Sequence, residues 1–187
     1  MFGTIARFLL HTIFTLFGTA LLLRAWFPIV KLTPYSPLLQ AIFQATNWLV
    51  VPLRRIIPAS RCIDWTSLFA AWLSAIIFVV MMVVASGGNP ALLFPVGFVI
   101  ATLTMIKWVL NLIILLTLIM TLLLWFNPLS PAIKILLQLT TPLFHPIRRV
   151  IPQLGRIDFS PLILIIIIEI LLIIITHITV SVITFRF

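Results

Sequence analysis

Charge is scarce in this chain and acidic charge nearly missing: charged side chains make up 8% of 187 residues, and only three are Asp or Glu. A soluble domain of this size carries roughly a quarter of its residues charged, so an ordinary water-soluble globule is excluded. Cysteine is almost absent too. The lone Cys62 rules out an intrachain disulfide and argues against a cysteine metal cluster. No HExxH, Cys-His cluster, phosphate-binding loop or nucleophile elbow occurs, and His11, His145 and His177 are scattered along the chain. Neither catalysis nor a cofactor or bound metal is expected.

What fills the chain instead is apolar surface. Hydrophobic residues make up 63% of it and the mean hydropathy is +1.33. Several runs reach the roughly 20 residues that cross a bilayer, so the chain is expected to be an integral membrane protein. The net charge of +9 could point to nucleic acid. In so apolar a sequence, basic residues instead set topology and meet anionic headgroups, and no direct nucleic-acid binding is expected. Met1 to Arg7 followed by an apolar run could pass for a signal peptide. The run continues through Leu21-Leu22-Leu23 to Trp26 and Phe27 without a clean small-residue cleavage site, so it reads as a retained span.

The chain repeats itself. Pro52-Leu53-Arg54-Arg55-Ile56-Ile57-Pro58 returns as Pro146-Ile147-Arg148-Arg149-Val150-Ile151-Pro152, and Asp64 returns as Asp158, at a constant offset of 94 residues. Eight of the 17 residues from Pro52 to Leu68 are identical in the second copy. A repeat of this kind dictates the architecture. The expected fold is all-α: two tandem copies of a hairpin made of a transmembrane helix, an interfacial amphipathic helix with a Pro-Arg-Arg turn, and a second transmembrane helix. The copies are placed at 1–90 and 91–187, with four spans at about 8–27, 66–85, 107–126 and 161–183. Pro28, Pro34 and Pro37 are read as breaking the first span into a connection. Ser86-Gly87-Gly88-Asn89-Pro90 is a strong turn signal after the second span. Residues 91–105 are left as a linker or a shallow interfacial helix.

Between the spans of each copy lies a short helix with a narrow polar stripe. Gln40, Gln44 and Asn47 recur at helical spacing, and Lys134, Gln138 and Thr141 sit 94 residues after them. At about 14 residues the first of these is short for a span and suits the interface. The prolines that follow remove backbone donors, which predicts a non-helical or single-turn segment for each arginine pair. Arg54, Arg55, Arg148 and Arg149 could be plain positive-inside anchors, or they could grip lipid phosphates or partner carboxylates bidentately. Asp64 and Asp158 precede the next spans as caps or salt-bridge partners of the arginines, and complete the candidate lipid- or partner-binding set. Ser160 followed by Pro161 is a good helix start.

Inside the spans, polar groups are costly and invite a functional question. Counted from the loop side at about 1.5 Å per residue, Glu169 lies roughly 12 Å deep and His11, Asn111 and His177 roughly 22–24 Å. Arg24 could reach toward Glu169. These five could carry protons or cations, or could simply make interhelical hydrogen bonds and an ion pair.

Asn127-Pro128, Gln138, Thr140-Thr141-Pro142, the arginine element, Gly155 and Ile157-Asp158-Phe159-Ser160-Pro161 together resemble the signature of the YggT family, also called YlmG. The resemblance covers the whole chain as the two-repeat bacterial form. The first copy departs at Trp48, where the second has Pro142, and at Arg61-Cys62, where it has Gly155-Arg156. The resemblance implies a small bacterial inner-membrane protein without a defined enzymatic reaction. It also implies links to osmotic or extracytoplasmic stress and potassium phenotypes, and in plastids to cytochrome-complex maturation and nucleoid or division organisation. Expected partners are anionic lipid headgroups, other membrane proteins and further copies of the chain. The first functional expectation is a membrane-organising or assembly protein; the alternative is a small oligomeric cation channel or transporter, potassium-linked and using Glu169.

Basic residues also predict an orientation. Lys31, Arg54, Arg55, Arg61, Lys134, Arg148, Arg149 and Arg156 gather on the loop side, against Arg7, Lys107 and Arg186 on the other. Lysine and arginine bias therefore puts both repeat loops in the cytoplasm and both termini outside. A reporter fused after Phe187 should be active only in the extracytoplasmic space; cytoplasmic activity would invert this topology.

Overall fold

A computed structural model describes residues 2–30, 37–55, 64–127, 130–150 and 160–184. Six α-helices follow in order: α1 Phe2–Val30, α2 Pro37–Leu53, α3 Trp65–Ala85, α4 Val96–Phe126, α5 Pro131–Val150 and α6 Ser160–Thr184. Among the described residues all regular structure is helical. Four helices, α1, α3, α4 and α6, are long and apolar enough to cross a membrane, and α2 and α5 fall between them at equivalent places. The architecture is the expected one: a long–short–long helical unit, twice in tandem.

Two of the long helices exceed their predicted spans. α1 has 29 residues, about 43 Å at 1.5 Å per residue, against a hydrocarbon core of about 30 Å. It passes through Pro28 to Val30. Proline removes the donor that would bond the Arg24 carbonyl, a loss of one bond near the helix's C-terminal end. α4 is 31 residues long and unbroken. Residues 96–105, expected as a linker or shallow helix, are its first turns. The reason lies in the residues: after Pro95 the only strong helix breaker is Gly97, in the first turn. The threonines bond back to the preceding turn, Thr102 Oγ1 to the Phe98 carbonyl at 2.8 Å and Thr104 Oγ1 to that of Ile100 at 2.8 Å.

Stop signals work where two of them cooperate. α3 ends in a left-handed Gly87 at φ +77, with Gly87 N donating to the Val84 carbonyl at 2.9 Å and Gly88 N to that of Val83 at 3.0 Å. Asn89 then caps a short 3-10 turn, Pro90–Leu93, accepting from Ala91 N at 3.0 Å. Prolines alone do not stop α5. Its backbone is helical through Pro142 and Pro146 to Val150, so Arg148 and Arg149 stand on helix, not on the Pro-bounded turn predicted for them. Each proline forfeits one hydrogen bond, and the four-residue spacing makes Pro142 the acceptor that Pro146 fails to serve. In the first copy the turn prediction holds: α2 ends at Leu53 and Arg54-Arg55 form a turn.

The chain divides into two compact units, Met1–Val109 with Ile178–Phe187, and Leu110–His177. Both α4 and α6 contribute to each. In the first unit α1 packs along α3, and α2 lies against both. α3 turns Ala70, Ala71, Ser74 and Ala75 inward, small side chains that let helices approach closely. Phe78 closes that face: its ring lies 5.7 Å from Phe14, 5.8 Å from Trp108 and 5.9 Å from His11 between centroids. In the second unit, Leu112, Leu116 and Met120 of α4, Leu136, Leu139 and Phe144 of α5, and Leu164 and Ile168 of α6 are buried.

Trp108 reaches α1 because Gly18 has no side chain. A Cβ there would stand 2.2 Å from Trp108 Cε3, far inside contact distance, so Gly18→Ala forces the indole out of its buried seat. The expected loss is about 1–3 kcal/mol, read by thermal unfolding in mild detergent. Pairing it with Trp108→Leu should recover part of that loss; additive losses would place the strain elsewhere.

Candidate functional site: a buried arginine–aspartate cluster

Three helices of the first unit converge on one carboxylate. α1 supplies Arg24, α2 supplies Thr46, Asn47 and, at its end, Arg54, and α3 is preceded by Asp64, its N-cap. Arg24 is an apolar-span residue only 2% exposed. Its Nη1 donates to Thr46 Oγ1 at 2.7 Å and Asn47 Oδ1 at 2.9 Å, and its guanidinium lies 4.6 Å from the centre of the Phe43 ring. This combines two neutral acceptors with a cation–π contact. Thr46 in turn donates to the Ile42 carbonyl at 2.6 Å.

Asp64 holds the other side. Its Oδ1 accepts from Ser67 N at 3.2 Å, the N-cap bond expected of an Asp before a helix. Its Oδ2 accepts from Ser67 Oγ at 2.8 Å and from Arg54 Nη2 at 3.0 Å. Arg24 Nε lies 3.9 Å from the same oxygen and has no hydrogen-bond partner among the described residues. Burial alone would push the Asp64 carboxyl up. The Ser67 hydroxyl and amide and the Arg54 guanidinium outweigh it and hold the carboxyl below its usual range.

Arg55 is exposed beside Arg54 on the turn. The polar stripe of α2, Gln40, Gln44 and Asn47, is exposed, while Leu39, Thr46 and Val50 point inward. α5 does the same with Lys134, Gln138 and Thr141 outside and Ile133, Leu136, Thr140 and Phe144 buried. Thr140, which stands 94 residues after Thr46, is also fully buried and donates to the Leu136 carbonyl at 2.8 Å and to Met120 Sδ at 3.1 Å. Asp158, like Lys31, Arg61, Cys62, Arg156 and Arg186, lies outside the described residues, and of Arg148 and Arg149 the helical backbone alone is described.

Of the five intramembrane candidates, Arg24 and His11 belong to the first unit and Asn111, Glu169 and His177 to the second. Arg24 directs its guanidinium to α2 and Asp64. His11 is exposed with its ring edge on Phe78. Asn111, Glu169 and His177 are exposed on their helices in the second unit. Sequence reasoning singled out Arg24, Arg54 and Asp64 but missed Thr46 and Ser67. Thr46 carried a signal: it is the hydroxyl that recurs at the repeat offset on the side of α2 away from the stripe.

A multi-helix membrane-type chain of two tandem repeats, with a basic turn bound to a capping aspartate, is the class these features define. The CCB3/YggT family pattern matches residues 3–85 and 99–179, and the chain belongs to that family. It is 36% identical over 165 residues to the "Uncharacterized protein YggT" of Escherichia coli, covering 88% of this chain and 85% of that protein. It is 38% identical over 160 residues to the "Uncharacterized protein in proC 3'region" of Vibrio alginolyticus, covering 84% and 85%. An uncharacterized Pseudomonas aeruginosa protein is 31% identical over 165 residues, covering 86% and 82%. None of these names describes an enzyme. No solved structure matches the chain.

Removing one partner from a buried ion pair costs about 3–5 kcal/mol, so Asp64→Asn should destabilise by that order. Because the folded Asp64 carboxyl titrates below its unfolded value of about 3.9, its contribution is complete above that pH and fades as pH falls through the folded value. The melting temperature of the parent protein should therefore fall on acidification below about pH 4 more steeply than that of Asp64→Asn. Parallel curves would remove Asp64 from the account.

Proposed function

We propose that this chain is a non-enzymatic inner-membrane protein that organises or assembles membrane components through the basic loops of its two repeats. The observation that carries the reading is where the buried polar chemistry is used. Arg24, Thr46, Asn47, Asp64 and Ser67 hold a single short turn, Arg54-Arg55, at the end of α2. Such bonding anchors the turn at Arg54, with Arg55 exposed beside it, rather than poising a nucleophile or a base. Lysine and arginine bias puts both arginine pairs on the cytoplasmic face. The exposed stripes of α2 and α5, opposite buried apolar residues, suit amphipathic helices lying at the headgroup level. There the arginines meet anionic lipids and acidic partner proteins. In the cell this organising role would support tolerance of osmotic and extracytoplasmic stress, as the family resemblance implies.

One observation favours a second reading. Glu169, Ile173 and His177 fall at four-residue spacing on one exposed face of α6. An ionisable group on a membrane helix calls for a polar partner or water, and an oligomer that gathers this face around an axis would form a cation pathway.

The two readings separate cleanly. If the loops carry the function, reversing charge with Arg148→Glu and Arg149→Glu abolishes complementation of a deletion strain under osmotic stress, and Glu169→Gln is tolerated. If the pathway does, Glu169→Gln abolishes it. Purified protein in proteoliposomes should pass no potassium; a flux lost in Glu169→Gln would establish the channel.

A further inference from the structure

Resting on the loop-side placement proposed above, the geometry around Asp64 points to a specific ligand at the first copy. Asp64 Oδ2 stands between two guanidiniums, 3.0 Å from Arg54 Nη2 and 3.9 Å from Arg24 Nε. The nearer one is half in solvent, its side chain 43% exposed, while the Arg24 side chain is 2% exposed. Among the described residues its buried Nε–H has no acceptor.

A purely structural bridge would not be built this way. Pulling Arg54 off an isolated Asp64 would strand a buried carboxylate, which is strongly unfavourable. Here the second cation is already in place. A closing movement of about 1 Å brings Arg24 Nε to hydrogen-bond distance, so the carboxylate keeps a partner and the orphaned donor gains one. Arg54 is thus free to change partners at small cost. Among the described residues the cluster holds two cations against one anion, an excess of positive charge that suits an anionic ligand.

The surroundings fix the kind of anion. Arg55 is exposed next to Arg54, so two guanidiniums face outward from one turn. Trp65, 53% exposed, directly follows Asp64 at the start of α3, and tryptophan belongs at headgroup level. Guanidiniums match phosphate oxygens in bidentate geometry. We propose that Arg54 and Arg55 form an exchangeable site for the phosphate of an anionic lipid headgroup, in which the lipid draws Arg54 from Asp64 and Asp64 closes onto Arg24.

Full-length protein in mild detergent, presented with phosphatidylglycerol, phosphatidylcholine or inorganic phosphate and read by native mass spectrometry, tests this. The parent protein should retain phosphatidylglycerol at least about fivefold over phosphatidylcholine, the order expected of one surface cation. Arg54→Gln with Arg55→Gln should bring that ratio close to one. This variant leaves Asp64 paired to Arg24, so its melting temperature should stay near that of the parent. Asp64→Asn releases Arg54 and should raise the preference for phosphatidylglycerol. No headgroup preference, a preference that survives the double substitution, or a fall in Asp64→Asn overturns the site. Displacement of the lipid by millimolar inorganic phosphate overturns the lipid as its ligand. A flat lipid preference, with charge reversal at Arg148 and Arg149 still abolishing stress tolerance, overturns this site while leaving loop docking of proteins intact.

Discussion

Everything in the first unit leans on the carboxylate of Asp64. Taking a charge out of water costs several kcal/mol, and a buried ion pair recovers that only with good geometry and satisfied neighbours. Asp64 meets the condition through four groups from three helices: Ser67 by amide and hydroxyl, Arg54 at 3.0 Å and Arg24 at 3.9 Å. Its net contribution to stability is accordingly modest compared with apolar packing. What it contributes is geometry. One oxygen gathers Arg24 of α1, Arg54 at the end of α2 and Ser67 at the start of α3 around a common point, and small residues on α3 let α1 approach it.

The duplication shows which parts of that arrangement are scaffold. Thr46 and Thr140 are both fully buried and both bond the carbonyl four residues back, so each short helix keeps the same inward hydroxyl. Beyond this the copies diverge. Arg24 has Leu118 at its repeat position and Ser67 has Pro161. Thr140 meets Met120 Sδ where Thr46 meets a guanidinium. A neutral sulfur thus faces the hydroxyl where a cation does in the first copy, and the short helix keeps its inward threonine.

The number of spans and their doubling could be read directly, because runs of about 20 apolar residues have few structural alternatives and the repeat offset is fixed by identical residues. The length of α4 could not. A segment apolar on all sides has no periodicity to mark its ends, and the chain from Val96 to Phe126 has no Pro to mark a break. Proline misled in the other direction: Pro142 and Pro146 cost α5 one bond each, and the helix tolerates both. The site was half legible. Counting residues from the loop gives a side chain's height along the membrane normal, which is why Arg24 was matched to Glu169. Height says nothing about azimuth, and the guanidinium turns toward α2 and Asp64 instead.

The same geometry argues that the two faces of the cluster are coupled. Arg54, half-exposed, and Arg24, buried, face the same carboxylate oxygen, at 3.0 Å and 3.9 Å, so the oxygen bonds the first and only approaches the second. A change in the pairing of Arg54 at the surface thus acts on the oxygen that Arg24 also faces. Arg24 is also bonded to Thr46 and Asn47 of α2, so the change reaches the seat of the short helix on α1. A basic turn that merely marked the cytoplasmic side would need none of this. Tethering it to a buried arginine makes sense where contact at the headgroup level has to be felt by the helices beneath.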